Sequence, residues 1–316
     1  MDITIVIPVF NELSNLPALF ERTDLVIRQM GVSAEWIFVH DGGNDGSLEW
    51  IKSLAGEDKR VRFINFSRNF GHQVAVSAGV DHASGEYIVI MDADLQDPPE
   101  LIPGLYLVAI KGYEVVYAKR KQRKGEHYLK KWTAGLFYRL LRRITSVDIP
   151  LDTGDFRIMH RKVAEVLKQM PERHKFLRGQ IAWAGFSQTF VEYDRDERLG
   201  GKSAYTWSKM IRFALDGITA FSDFPLRLVT YFGFIVSFIA FVVGLFALYS
   251  RFISGDYVQG WASLIIAVLF LGGIQMIAIG IIGEYISRMQ SDIRKRPLYV
   301  INDHNLSSIS NQNDNL

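Results

Sequence analysis

The chain has 316 residues, of which 48% are hydrophobic and 22% charged, and this composition excludes a disordered or collagen-like protein. Its 36 basic and 34 acidic side chains leave a net charge of +2, which says little about partners. The sequence has no cysteine, which excludes a disulfide framework, a cysteine-based zinc module and a thiol nucleophile. Asp2 stands where a secretory signal would carry basic residues, so we expect no cleaved export signal.

Short apolar runs alternate with amphipathic segments along the first 120 residues. Strands are predicted at residues 3–9, 35–39, 61–66, 87–91 and 114–118, and helices at residues 15–29, 47–54, 74–83 and 99–110. This alternation predicts an α/β domain whose mostly parallel sheet is covered by helices on both faces. Ligands of such sheets bind at the carboxyl ends of the strands, so the loops after the strands form the candidate site.

Acidic side chains occupy three of these loops. Asp92 and Asp94 follow the strand at residues 87–91, and two carboxylates spaced in this way can share a hard divalent cation that bridges a diphosphate. Asp-x-Asp pairs are often simple turn residues, but loops that carry Glu12 and Asp41 end at the same sheet edge. The sequence contains neither G-x-G-x-x-G nor G-x-x-x-x-G-K-[ST], which disfavours a dinucleotide oxidoreductase and a P-loop NTPase.

A basic segment with interleaved aromatic and leucine residues spans residues 119–143. It holds ten Lys or Arg and a single acid, Glu126. A basic helix with an apolar face suits an anionic membrane surface, and a solvated basic face is the alternative. A nucleic-acid patch would have the same composition, but the apolar stretches downstream disfavour it, and we expect no nucleic-acid partner.

Two uncharged stretches follow, at residues 228–250 and 257–283. Because about 20 apolar residues cross a bilayer, they predict two transmembrane helices, at about residues 228–250 and 261–284, within a membrane region at residues 226–287. An amphipathic interfacial helix is predicted at residues 205–225 and a tail at residues 288–316, basic at first and disordered from Asn302. The flanking basic residues predict a multi-pass inner-membrane protein whose domain, residues 1–204, and both termini are cytoplasmic.

Six segments together resemble family 2 glycosyltransferases with a GT-A (Rossmann-like) fold, in the polyprenyl-phosphate group that includes the dolichol-phosphate mannose synthases. These segments are residues 7–12, 41–47, 68–72, 91–99, 152–157 and 198–205. The chain is most similar to the bacterial branch that transfers glucose to undecaprenyl phosphate. The resemblance covers about residues 1–300, and it implies a membrane-bound hexosyltransferase that uses a nucleotide sugar.

The resemblance also implies roles for single residues on the donor side. Pro8, Glu12 and Asp41 would hold the uridine part of a nucleotide sugar. Asp92 and Asp94 would hold Mg²⁺ or Mn²⁺ against its diphosphate, with Asp94 as the more direct ligand. The family usually has two consecutive acids in this loop, and this chain has His40 in place of the first and Asp41 in place of the second. Any role of the first acid is therefore unassigned in this chain.

The resemblance makes Asp155 and Asp94 the candidate catalytic residues, with Asp155 near the reacting sugar. Arg68, which ends a strand in the same crevice, is a further candidate to bind the nucleotide sugar. The implied mechanism is an inverting attack of a lipid phosphate on the anomeric carbon. A phosphate monoester has a second pKa of about 6, so near neutral pH it hardly requires a strong base. Asp155 would then position a sugar hydroxyl or the acceptor, and a role as the base stays open as the alternative. Arg157, Arg198 and Lys202 are the candidates to hold the acceptor phosphate.

Other interpretations stay open at this point. UDP-glucose is the favoured donor, with GDP-mannose and a UDP-linked modified arabinose as alternatives. A processive polysaccharide synthase would share the N-terminal motifs, but the chain lacks a Gln-x-x-Arg-Trp motif. A catalytically silent membrane scaffold would have no reason to keep the acids, and a homo-oligomer is compatible with the small residues of the apolar stretches. Six of the histidines, His72 among them, lack metal-ligand spacing, so we expect surface or packing roles.

Overall fold

The computed structural model describes residues 1–120, 153–173, 175–193, 224–249 and 260–306. The described residues form two compact units. The first contains those up to Tyr193 together with those from Arg296 onward, and the second contains the two long helices between them. The chain therefore returns to the first unit after residue 295, a return that the sequence did not predict.

The first unit is built on one mixed sheet with eight strands among the described residues. The strands are β1 (Ile3–Val9), β2 (Ala34–His40), β3 (Val61–Phe66), β4 (Tyr87–Ile90), β5 (Val115–Arg120), β6 (Thr153–His160), β7 (Gln188–Tyr193) and β8 (Ile301–His304). Their order is β7-β5-β6-β4-β1-β2-β3-β8. The strands β4, β1, β2 and β3 pair in parallel, whereas β6 and β8 run antiparallel to their neighbours. The prediction of a mostly parallel α/β sheet is confirmed.

Helices connect the strands and cover the sheet. They are α1 (Leu16–Met30), α2 (Ser47–Glu57), α3 (His72–Asp81), α4 (Ile102–Ala109), α5 (Arg161–Lys168) and α6 (Leu177–Trp183), with a 3₁₀ turn at Pro99–Leu101. All seven residues of β1 are buried, because helices cover both faces of the sheet. Ile5 and Ile7 belong to the cluster on one face, while Val6 packs with Val76 and Val80 of α3 on the other. The strand ends are thereby held rigidly, as a site at their carboxyl edge requires.

The prediction of a disordered tail from Asn302 is wrong for residues 302–306. Strand β8 pairs antiparallel with β3, and the side chain of Asn305 bonds to the β3 backbone at Phe63 N (2.7 Å) and Val61 O (3.1 Å). Leu306 is buried. These bonds supply partners for backbone groups of β3 that would otherwise be unpaired at the edge of the sheet. The Asn/Ser-rich composition of the tail gives no sign of this pairing. Residues 307–316 lie outside the described residues.

The second unit contains two long helices, α7 (Phe224–Tyr249) and α8 (Trp261–Ile293). Of the residues that the structure describes, the stretch Phe270–Ile293 is the one that is long and apolar enough to cross a membrane. The apolar stretch of α7, Leu228–Val243, is shorter. The predicted interfacial helix at residues 205–225 lies outside the described residues except for its last two positions. The predicted basic segment, from residue 121 to residue 143, also lies outside the described residues.

Candidate active site

A cleft of about 360 Å³ opens at the carboxyl ends of β1, β2 and β4. Because these strands are parallel neighbours, their loops meet at one edge of the sheet. The cleft is lined by Pro8, Val9, Phe10, Glu12, Asp41, Asn69, Gly71, His72, Ala75, Asp92, Ala93 and Asp94. Five predicted site residues therefore lie together: Pro8, Glu12, Asp41, Asp92 and Asp94.

Asp92 and Asp94 stand on the tight turn that follows β4. Asp94 Oδ1 accepts the N–H of Gln96 at 3.0 Å, and Leu95 has a φ of 54°, a left-handed conformation that is rare for a leucine. Asp92 Oδ1 is buried and has no hydrogen-bond partner among the described residues. Burial raises the pKa of Asp92 to about 6, against the opposing charge of His72 and with support from nearby carboxylates.

The two carboxylates fit a divalent cation that binds together with a nucleotide. No group of three or more His, Cys, Asp or Glu side chains around a common point is found among the described residues. Mg²⁺ commonly takes only one or two carboxylates from a protein when phosphate oxygens complete its shell, and Mn²⁺ prefers the same oxygen ligands. Asp92 and Asp94 form such a pair of carboxylate ligands, because both line the cleft and Oδ1 of Asp92 is buried without a hydrogen-bond partner among the described residues.

Asp41 binds the backbone of a neighbouring loop. Its Oδ1 accepts the N–H of Phe70 at 2.6 Å, and its Oδ2 accepts the N–H of Gly71 at 3.0 Å. Burial raises the pKa of Asp41, and these two bonds oppose that effect. Gly42 has a φ of 73°, and a Cβ at this position would lie 2.6 Å from Asn69 N. Asp41 thus fixes the loop at residues 68–71 against its own loop, and its direct contact with uridine stays a prediction.

The other predicted donor-side residues differ in their placement. Glu12 Oε2 accepts the side-chain amide of Asn15 at 2.7 Å, and burial raises the pKa of Glu12. Arg68, in contrast, is exposed: its guanidinium stacks 4.1 Å above the ring of Phe70 and does not line the cleft. Its predicted contact with the nucleotide sugar has no support from this geometry.

Asp155 lies at the centre of a cationic cluster. Strand β6 pairs with β4, which carries Asp155 to the edge where Asp92 stands. Asp155 Oδ1 accepts from Arg157 Nη2 at 2.7 Å and from Arg178 Nε at 3.2 Å, and Oδ2 lies 3.2 Å from His72 Nε2. Burial alone would raise the pKa of Asp155, but the hydrogen bond to His72 and the two guanidinium charges hold this pKa well below its usual range.

The expectation of a surface or packing role is wrong for His72. His72 is the first residue of α3, and its Nε2 lies 3.2 Å from Asp155 Oδ2 and 3.5 Å from Asp92 Oδ1. Burial opposes its charge, yet these two carboxylates raise the pKa of His72 above its ordinary value. A signal was available, because His72 ends one of the segments that carry the family resemblance and follows a strand end.

The predicted acceptor residues are only partly described. Arg157 is 1% exposed, and its Nε and Nη2 both bind Asp155. Its Nη1 is buried and has no hydrogen-bond partner among the described residues. Arg198 and Lys202 lie outside the described residues. Arg178, on α6, joins the cluster although no motif in the sequence pointed to it.

A sequence model described as "Glycosyl transferase family 2" matches residues 4–168, more than half of the chain and the part that builds the cleft. The chain belongs to glycosyltransferase family 2. It is therefore an enzyme that transfers a sugar, and the resemblance found in its sequence is confirmed at this level.

Similar proteins extend the family match along the whole chain. The uncharacterized glycosyltransferase YkcC of Bacillus subtilis (strain 168) is 47% identical over 94% of this chain and 92% of its own length. The prophage bactoprenol glucosyl transferase homolog of Escherichia coli (strain K12) is 42% identical over 95% of this chain and 98% of its own length. The bactoprenol glucosyl transferase of Shigella phage SfV is 41% identical over 95% of this chain and 98% of its own length.

Proposed function

We propose that this enzyme transfers glucose from UDP-glucose to undecaprenyl phosphate at the membrane, with inversion at the anomeric carbon. The observation that carries the donor half is the buried carboxylate oxygen Oδ1 of Asp92, which has no hydrogen-bond partner among the described residues and lies next to Asp94 in the cleft. The acceptor half is supported by relatives named bactoprenol glucosyl transferase, which align with 95% of this chain. Bactoprenol is undecaprenol, the lipid alcohol of that acceptor.

In this proposal the donor lies along the carboxylate side of the cleft. Asp92 and Asp94 hold Mg²⁺ or Mn²⁺, and the bound ion supplies charge stabilisation for the departing diphosphate. Pro8 and Glu12 line the part of the cleft where the nucleoside would lie. Asp41 supports that part indirectly, since its carboxylate holds the adjoining loop in place.

We assign Asp155 to positioning rather than to proton removal. Its carboxylate accepts contacts from two arginines and His72, and it stays ionised because these cations hold its pKa low. A carboxylate engaged in this way is a weak base. The acceptor requires none, because a phosphate monoester with a second pKa of about 6 is mostly ionised near neutral pH.

We place the enzyme in the inner membrane with two spans, α7 and α8. Both helices expose large apolar side chains, such as Phe234 (71%), Phe246 (70%) and Met276 (70%), which water solvates poorly. The basic residues that flank the two helices favour a cytoplasmic active site. The basic segment at residues 119–143 would then meet the lipid headgroups. A homo-oligomer is compatible with the small residues of α8.

The test is sugar transfer by the full-length protein in detergent, with undecaprenyl phosphate and radiolabelled UDP-glucose, in the presence and absence of Mn²⁺. We expect metal-dependent label in the lipid phase. Label from GDP-mannose, or from a UDP-linked modified arabinose, would keep the reaction class and contradict the sugar. The absence of transfer from every donor, together with the absence of UDP binding by calorimetry, would instead favour the silent scaffold.

A further inference from the structure

A surplus of positive charge surrounds Asp155. Two guanidinium groups, those of Arg157 and Arg178, contact Oδ1 of this one carboxylate at 2.7 and 3.2 Å. His72 Nε2 lies 3.2 Å from the other oxygen, Oδ2. One carboxylate neutralises one guanidinium, and among the described residues Asp155 is the one acid within ion-pair distance of Arg157 and Arg178, while Asp92 contacts His72.

The two arginines differ in what they leave available. Arg157 is buried and uses Nε and Nη2 to hold Asp155. The side chain of Arg178 is 27% exposed and contacts Asp155 through Nε alone. Neither terminal nitrogen of Arg178 has a hydrogen-bond partner among the described residues. A guanidinium anchored at Nε presents these two nitrogens together, in the planar geometry that suits phosphate oxygens.

The surroundings of His72 show on which side such an anion would lie. His72 lines the cleft and stands between Asp92 and Asp155, at 3.5 and 3.2 Å from their oxygens. His72 Nε2 thus contacts both Asp92 and Asp155, so the carboxylate that binds the two arginines lies next to the carboxylate pair of the cleft. Transfer to a lipid phosphate brings two anions together, and the anion without the metal needs cations of the protein.

We infer that Arg178 binds the phosphate monoester of the acceptor through Nη1 and Nη2 while Asp155 holds its Nε, an inference that rests on the proposed function. Arg157 is then a positioning residue that keeps Asp155 in place. An ionised acceptor oxygen forms the new bond to the anomeric carbon as the bond from that carbon to the donor diphosphate breaks. The nucleoside diphosphate leaves with the electron pair, and no proton has to be removed.

The kinetic test uses the full-length protein in detergent and three variants. Arg178→Gln removes the charge, Arg178→Lys keeps the charge but loses the fork, and Arg161→Gln removes a charge elsewhere. Arg161 is an exposed residue whose Nε donates to Gly85 O. Gly85 lies just before the start of β4, whereas Asp92 follows the other end of that strand. We expect Arg178→Gln to raise the KM for undecaprenyl phosphate about 10- to 100-fold, with the KM for UDP-glucose within about twofold. Arg178→Lys should fall between, and Arg161→Gln should match the wild type.

Two kinetic outcomes would overturn the inference. An unchanged KM for the acceptor in both Arg178 variants would exclude the contact. An equal rise in the KM for UDP-glucose would assign Arg178 to the donor diphosphate instead. If Arg178→Gln does not fold, Arg178→Lys decides, because its single ammonium group keeps a positive charge next to Asp155 but cannot hold Asp155 and present two further nitrogens to a phosphate at the same time.

A binding experiment separates this inference from the proposed function. We expect the wild type to bind farnesyl phosphate more tightly than farnesol in calorimetry, and Arg178→Gln to lose that preference. This result without sugar transfer from any donor would contradict the proposed function and leave the inference standing. An undiminished preference for the phosphate in Arg178→Gln would refute the inference, whatever the activity.

Discussion

Among single residues, Asp92 and Asp94 should dominate the chemistry, because the buried Oδ1 of Asp92 has no hydrogen-bond partner among the described residues and lies 3.5 Å from His72 Nε2, so that a bound cation would stabilise it. We predict that Asp92→Asn and Asp94→Asn each lower kcat/KM by about 10²- to 10³-fold, since each removes one carboxylate ligand of the metal. Mn²⁺-dependent binding of UDP, measured by calorimetry, should disappear in both variants. The control Glu57→Gln removes an exposed charge at the end of α2 and should leave both quantities unchanged. UDP binding that stays Mn²⁺-dependent in both variants would contradict the metal assignment.

Asp155 should matter for stability as well as for activity. Asp155→Asn leaves two guanidinium groups without their counter-charge, and we predict a loss of about 3–5 kcal/mol in the free energy of unfolding, measured by urea denaturation. Glu165→Gln removes one partner of an exposed ion pair with Lys168 and should cost about 1 kcal/mol at most. Equal losses of unfolding free energy in Asp155→Asn and Glu165→Gln would show that the contacts of Asp155 do not stabilise the folded protein.

The same residue gives stability a pH dependence. The folded-state pKa of Asp155 lies below its unfolded value, so its contribution is complete above the unfolded pKa of about 3.9 and decreases as the pH falls further. Wild-type protein should therefore lose stability on acidification below about pH 4 more steeply than Asp155→Asn. Parallel pH profiles of the two proteins would contradict the lowered pKa.

The sequence located these carboxylates but not their partners. Asp92 and Asp94 could be placed because an acidic pair directly after a buried parallel strand must lie at the carboxyl edge of the sheet. The contact of His72 with Asp155 joins residues 83 positions apart, and that of Arg178 with Asp155 depends on the placement of α6. Neither contact leaves a periodic signal, so only the folded geometry shows the cluster.

At the scale of elements, β8 ties the end of the described chain to a loop of the active site. Tyr299, just before β8, stacks on Phe66 with ring centroids 5.1 Å apart, and Phe66 packs edge-on against Phe70 at 5.5 Å. The N–H of Phe70 is one of the two that Asp41 holds. The tail thus supports the loop at residues 68–71 through the ring of Phe66, in addition to the bonds from Asp41. Sequence patterns could not predict this strand, because four residues with polar neighbours resemble a disordered segment.

Asn305 is where this attachment can be tested. We predict that Asn305→Ala lowers the free energy of unfolding by about 1–3 kcal/mol, because the N–H of Phe63 and the carbonyl of Val61 both lose a partner. The matched change Asn302→Ala, at an exposed position of β8, should cost less than about 0.5 kcal/mol. Urea denaturation of the two full-length variants gives the comparison, and equal values would contradict the role of Asn305.

At the scale of the whole molecule, the chain folds as one α/β catalytic unit and one helical unit, and it crosses from the helical unit back to the catalytic unit near residue 295. Two membrane spans would return the chain to the side from which it entered, which is what β8 requires, because β8 belongs to the same sheet as β1. A single span would put the end of the chain on the other side of the bilayer from that sheet. The pairing of β8 with β3 therefore favours an even number of spans, independently of hydropathy.

This topology can be measured directly, because the chain has no native cysteine and single cysteines report their own side of the membrane. We predict that Ser254→Cys, between the two apolar stretches, reacts in intact cells with a thiol reagent that does not cross the inner membrane. Ser53→Cys, exposed on α2, should react only after the inner membrane is opened, because the proposed orientation has the catalytic unit on the cytoplasmic side. Reaction of both cysteines in intact cells would invert the orientation. Reaction of neither before lysis, with both reacting after it, would mean that the connection between α7 and α8 never leaves the cytoplasm and that the two helices do not span the bilayer as a pair.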